Sequence, residues 1–189
     1  LVAQAHVRNV AARSLDQQNV VWSSILVEPA AFSSLLWYVI VEQHEGAKAG
    51  WHYGPPTFFA GTYSLLDPAP PPGRPPVAVM RIEADWPLRR PFEGTDALRT
   101  LDWFSRGYLV FRQDARGTTA CDLRFGRSDA FLTRADAPCI FTFRLVRTPE
   151  GVTFQHERPS FGSEALARLW RRTLGEVPAW ARADTSSTL

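Results

Sequence analysis

The chain has 189 residues, of which 45% are apolar, and a formal charge of +2. That length suffices for one domain with a substantial core. Its 20 arginines and single lysine are nearly balanced by 19 interleaved acidic residues, which excludes a clustered nucleic-acid-binding surface.

Taken in order, residues 1–16 suit a helix, with apolar positions at Val2, Ala5, Val7, Val10, Ala11 and Leu15. Leu1-Val2-Ala3-Gln4 reads as the middle of a helix, so the chain is expected to be a soluble piece of a longer protein. The residues from Val20 to Val27 favour a strand. Leu35 to Glu42 is apolar on both faces, as a central strand should be. Residues 50–56 read as a loop and Phe58 to Leu66 as another strand. The proline-rich segment 67–76 cannot form regular structure and is expected to be an extended surface connection.

Val77 to Asp85 alternates as a strand. Thr95 can cap a helix over 96–106, with Gly107 as its stop. Tyr108 to Gln113 and Thr118 to Phe125 form a predicted hairpin around the turn residues Asp114 to Gly117. Residues 126–139 read as a loop. Ile140 to Arg147 and Val152 to Arg158 flank the turn at Pro149-Glu150-Gly151. Ser163 can cap a last amphipathic helix over 164–175, with Leu166, Leu169, Trp170 and Leu174 docking on the sheet. The expected fold is α+β: one curved, mostly antiparallel sheet of seven or eight strands with three helices packed on it. A single domain over 1–180 is expected, with 181–189 a disordered tail.

Parity gives the central hairpin a three-residue loop at 115–117. Leu109 then faces Leu123 and Phe111 faces Cys121, making one apolar side. The opposite side gathers Arg112, Asp122 and Arg124, and Arg144 has the matching parity on its own strand. Guanidinium groups around a carboxylate could hold an anion; as an exposed cross-strand network they would add little stability. This is the candidate polar cluster, and no catalytic residue is assigned. Trp103 and Phe104 read as core. Cys121 reads as a core thiol, and no disulfide with Cys139 is expected.

Several segments carry a resemblance. Trp103-Phe104-Ser105-Arg106-Gly107 followed by Asp122-Leu123-Arg124-Phe125-Gly126 resembles the C-terminal soluble part of the membrane-bound, LexA-regulated metal-dependent hydrolases of bacteria. Phe32-Ser33-Ser34-Leu35-Leu36-Trp37, Gly61 to Asp67 and Phe141-Thr142-Phe143 match in the same order, over residues 1–147. The resemblance implies a soluble accessory domain whose parent carries a divalent metal site in an N-terminal membrane block. That block has no counterpart in this chain.

His6, His44, His52 and His156 lack metal-ligand spacing, so no metal or other cofactor is expected within the chain. The expected location is the bacterial inner membrane, with the domain on the cytoplasmic side because His6, Arg8 and Arg13 lie in the first helix. Arg168, Arg171 and Arg172 are expected to face an anionic membrane. The expected partners are therefore the membrane and no nucleic acid. The alternative is a non-catalytic binding module for a lipid, a small apolar ligand or a protein.

Overall fold

The computed structural model describes residues 2–30, 33–44, 55–82, 84–133, 137–158 and 162–182. Residues 50–54 of the expected loop and 183–189 of the expected tail lie outside that set. The architecture is α+β and antiparallel, but the strands form two sheets rather than one. The first joins β1 (Ser24–Pro29), β2 (Leu36–Gln43), β3 (Thr57–Ser64) and β4 (Met80–Ile82) in chain order. The second joins β5 (Leu109–Asp114), β6 (Gly117–Arg127), β7 (Cys139–Thr148) and β8 (Gly151–Glu157) in the same way. The α-helices are α1 (Val2–Gln17), α2 (Asp96–Ser105) and α3 (Ser163–Thr173). Short 3-10 helices at Trp86–Leu88, Arg90–Phe92 and Trp180–Arg182 add to the three helices expected.

The sheets separate because each needs both faces covered. Helix α1 lays Val7, Val10, Ala11 and Leu15 on the outer face of the first sheet, against Ile25, Val27, Trp37, Val39 and Val41. The inner face splits along its length. Ile40, Phe58 and Ala60 meet Val110, Cys121 and Leu123 of the second sheet. Leu36 and Tyr38 instead meet Ala30, Ala130 and Leu169 of α3. On the far side of the second sheet, Leu98 and Leu101 of α2 join Leu109, Phe111, Ala120, Phe143 and Leu145. The layers are thus helix, sheet, sheet, helix. The strand β2 is central, as its doubly apolar sequence requires, with Leu36 to Val41 all buried.

The same burial overturns the parity argument for the central hairpin. Leu109 pairs with Asp122, Val110 with Cys121 and Phe111 with Ala120, around the two-residue turn Ala115-Arg116. Parity assumed one apolar face, yet both faces of β5 are buried, so alternation carries no register information there. The turn chemistry decides instead: Gly117 sits at a φ of 123°, and the Asp114 carboxylate accepts from the Arg116 N–H at 2.7 Å. Further along, four residues of β6 stand opposite one of β7 between the pairs Asp122–Phe141 and Arg127–Cys139. In this bulge Gly126 has a φ of 75°, and a side chain there would collide with the Tyr38 ring. Tyr38 donates its hydroxyl to the Arg127 carbonyl at 2.9 Å, which locks the bulge onto the first sheet. Cys121 and Cys139 are joined by a disulfide, contrary to the expectation that they would not be.

Helix boundaries follow local chemistry. Thr95 accepts from the Leu98 N–H at 3.3 Å, as a cap should. Ser163, expected as a cap, is the first helical residue instead, and Gly162 occupies the cap without a side-chain bond. Helix α3 is held by Arg172, 2% exposed, whose Nη2 donates to Asp67 at 2.8 Å and to the Thr62 carbonyl at 2.8 Å. Its Nε reaches the Thr62 hydroxyl at 2.9 Å. Asp67, expected only to open the proline-rich connection, is thereby the anchor for the last helix. Arg171 pairs with Glu176 at the surface. Replacing Arg172 with Gln should therefore cost about 3 kcal/mol by leaving a buried carboxylate uncompensated. Replacing Arg171 with Gln should cost less than about 1 kcal/mol. Urea titrations of the two variants give the comparison; equal losses would remove the anchoring role.

Candidate functional site

The four residues of the candidate polar cluster do not come together. Arg112 and Arg144 lie on the face of the second sheet that also bears Thr119 and Cys121; Asp122 lies on the opposite face with Leu109. Asp122 is fully buried, and Arg124, two residues on, closes over it with Nε at 3.0 Å and Nη2 at 2.7 Å. The Arg124 guanidinium also covers the rings of Phe104 and Phe125, 5.1 Å from each centroid. Arg112 points elsewhere, donating to the Ala137 carbonyl at 3.3 Å. Arg144 is clamped between Asp114, at 2.9 and 2.7 Å, and Glu157, at 2.6 and 3.0 Å.

This last arrangement shifts the acids. Hydrogen bonds from Arg144 hold the Asp114 carboxyl down at about 2 and lower Glu157 as well. A carboxylate lowered on folding stabilises the fold above its unfolded pKa, and that contribution fades as the pH falls through the folded value. Arg144→Gln should therefore destabilise the protein more at pH 6 than at pH 2, which is about where Asp114 takes up its proton in the folded state. Urea titrations at both pH values measure this; a pH-independent difference would show that charge plays no part.

The polar cluster was expected to be exposed and cheap to disrupt. Burial of Asp122 reverses that. Asp122→Asn should cost about 3 kcal/mol, by leaving the partly covered Arg124 without its counter-charge, whereas an exposed pair would lose about 1 kcal/mol or less. Denaturant titration distinguishes the two.

Helix α3 departs furthest from its sequence reading. All three arginines meant for a membrane are used by the fold. Arg172 is the buried anchor. Arg168 pairs with buried Asp129 at 2.7 Å and stands over the Phe131 ring; Arg171 reaches the same ring from 5.6 Å. The apolar stripe is turned outwards in their place. Leu166 is 47% exposed, Trp170 63% and Leu174 54%, and of the expected docking residues only Leu169 packs inward. Exposed Leu35 and Leu66 lie near the end of the stripe. Gly175 abuts the Leu66 carbonyl, and the Leu35 carbonyl accepts from the Leu65 N–H. Trp103 and Phe104, expected in the core, are also on the surface, at 80% and 38% exposure.

Two clefts were missed from sequence. One, of about 530 Å³, lies between β4 and β5 and includes Arg81, Arg112, Arg127, Leu132 and Thr133 in its lining. The other, of about 570 Å³, opens at the junction of the two sheets beside Trp86, Arg89 and Asp102. On its floor Glu42 accepts from the Ser24 hydroxyl at 2.8 Å and contacts His44 Nε2 at 2.9 Å, while Tyr108 Oη meets the Ser24 hydroxyl at 2.8 Å. Ser24 and Tyr108 are 84 residues apart, so no sequence spacing announces the chain of contacts. Among the described residues, no three His, Cys, Asp or Glu side chains form a metal-binding group, and no helix is long and apolar enough to cross a membrane. Comparison with known families, curated proteins and solved structures gives no match.

Proposed function

We propose that the domain is the membrane-docking accessory part of a membrane-bound metal-dependent hydrolase, and that it binds rather than catalyses. Its place is the bacterial inner membrane. The observation that carries the docking role is the outward stripe of Leu166, Trp170 and Leu174 on a helix whose arginines are engaged on its other side. A contiguous exposed apolar stripe marks a binding surface. A central tryptophan, flanked by the half-exposed Arg171, suits a bilayer interface. The ordered motifs from Phe32 to Phe143 support the hydrolase parentage, with any divalent metal held outside the described residues.

The energetics fit a tethered contact. Fully burying a leucine is worth about 2 kcal/mol, and these side chains are already half covered. Sinking the remainder of three of them contributes only a few kcal/mol. Such a contact is weak in free solution but sufficient when an anchor raises the effective concentration. This contact is chiefly apolar, unlike the charge-led one expected from sequence.

Cosedimentation with phosphatidylcholine and phosphatidylglycerol vesicles, at low and high salt, tests the reading. Binding is expected to persist at high salt and Trp170 emission to shift to the blue. Changing Leu166, Trp170 and Leu174 together to Ser should weaken binding at least tenfold. Unchanged binding by that variant, or no blue shift of tryptophan emission when the parent chain is tethered to vesicles, would overturn the proposal.

A further inference from the structure

We infer that this domain folds in an oxidising compartment and reaches its native state through a thiol–disulfide oxidoreductase. The cysteines at 121 and 139 are the only two in the chain. Their Cα atoms are 5.7 Å apart, within the span a disulfide bridges without moving the backbone. Cys121 sits in β6 just before the bulge, and Cys139 opens β7 opposite Arg127, just after it. The bond therefore crosses the place where backbone pairing between these strands is interrupted. It substitutes for the missing ladder contacts and closes a loop between residues 18 apart in sequence. That loop holds Gly126 against Tyr38, and it carries the buried Asp129 that receives Arg168 of α3. A cross-link here keeps both the junction of the sheets and the seat of the last helix from opening.

Both cysteines are nearly inaccessible, at 3% and 2% exposure, between the two sheets among Ile40, Phe58, Val110 and Leu123. A reversible redox sensor needs an exposed thiol of low pKa; this pair has the opposite setting, and its role is structural. Structural disulfides belong to oxidising compartments and are rare in the bacterial cytoplasm. The cytoplasmic side, expected from basic residues in the first helix, gives way accordingly. One of those residues, Arg8, is used within the fold, donating to the Ile25 carbonyl at 2.8 Å. The inference is independent of the membrane contact made by α3.

Burial also orders the events. The oxidant must reach the sulfurs before the sheets close over them. One cysteine thiolate attacks the disulfide of the oxidised oxidoreductase, breaking that S–S bond and forming a mixed disulfide. The second thiolate then attacks the mixed disulfide, forming the Cys121–Cys139 bond and releasing the enzyme as a dithiol. Two electrons pass to the oxidoreductase and two protons leave the cysteines.

The test needs no substitution. Cells making the full-length protein are quenched in acid, and the denatured protein is treated with a maleimide before or after reduction. The expected result, read by peptide mass spectrometry, is that Cys121 and Cys139 are unlabelled before reduction and both labelled after it; labelling of both before reduction would overturn the inference. In cells lacking the thiol–disulfide oxidoreductase, the protein should carry two free thiols and be digested by protease at least tenfold faster. Normal oxidation there would exclude that partner. Equal protease resistance of the reduced protein would exclude the structural role. Protease added to intact spheroplasts should cut the domain; full protection in spheroplasts, with cleavage after lysis, would place it in the cytoplasm and overturn the compartment.

Discussion

The surface chemistry of this domain depends on the buried pair of Arg172 and Asp67. A charged side chain 2% exposed is tolerable only when its counter-charge and hydrogen-bond acceptors are supplied. Asp67 and the hydroxyl and carbonyl of Thr62 supply them. Those partners lie on and just beyond β3, so satisfying them fixes both the position of α3 and its rotation. Arg168, one turn earlier, then meets Asp129, and Leu169 meets Tyr38 and Ala130. The opposite side of the helix, with Leu166, Trp170 and Leu174, is left facing out.

A second constraint acts through the two-sheet arrangement. The first sheet is longer than the contact the second makes with it, so its inner face is shared between β-strands and α3. The loop after the β6 bulge occupies the seam. Gly126 lets Tyr38 come close, the disulfide secures the strand ends, and Asp129 turns towards the helix. Stability of the core and presentation of the α3 stripe are thus linked through one stretch, residues 121–139. Loss of order there would release the helix and the sheet junction together.

The electrostatics follow the same pattern. Interleaved acids and arginines in the sequence become particular pairs in space: Arg144 with Asp114 and Glu157, Arg89 with Asp102, and Arg124 with Asp122. On α3 the same kind of pairing takes Arg168 to Asp129 and Arg172 to Asp67, which leaves its apolar side outward. Trp170 on α3 and Trp103 on α2 are the most exposed tryptophans among the described residues.

The sequence by itself determined the elements. Period-2 and period-3.6 patterns, Thr95 as a cap, the prolines of 67–76 and the glycine turns placed eight strands and three α-helices within a few residues of their ends, because those signals act over one or two turns of chain. It also indicated β2 as a central strand, since Leu36 to Val41 has no polar face to expose. Tertiary structure alone decided the rest. Parity could not set the β5–β6 register once both faces were buried, and one sheet or two depends on which surfaces find each other. A helical wheel reports that α3 has an apolar side and a basic side, but not which is turned inward. Asp67, 105 residues before Arg172, is the partner that decides it, because turning Arg172 outward would leave the buried Asp67 carboxylate without its counter-charge.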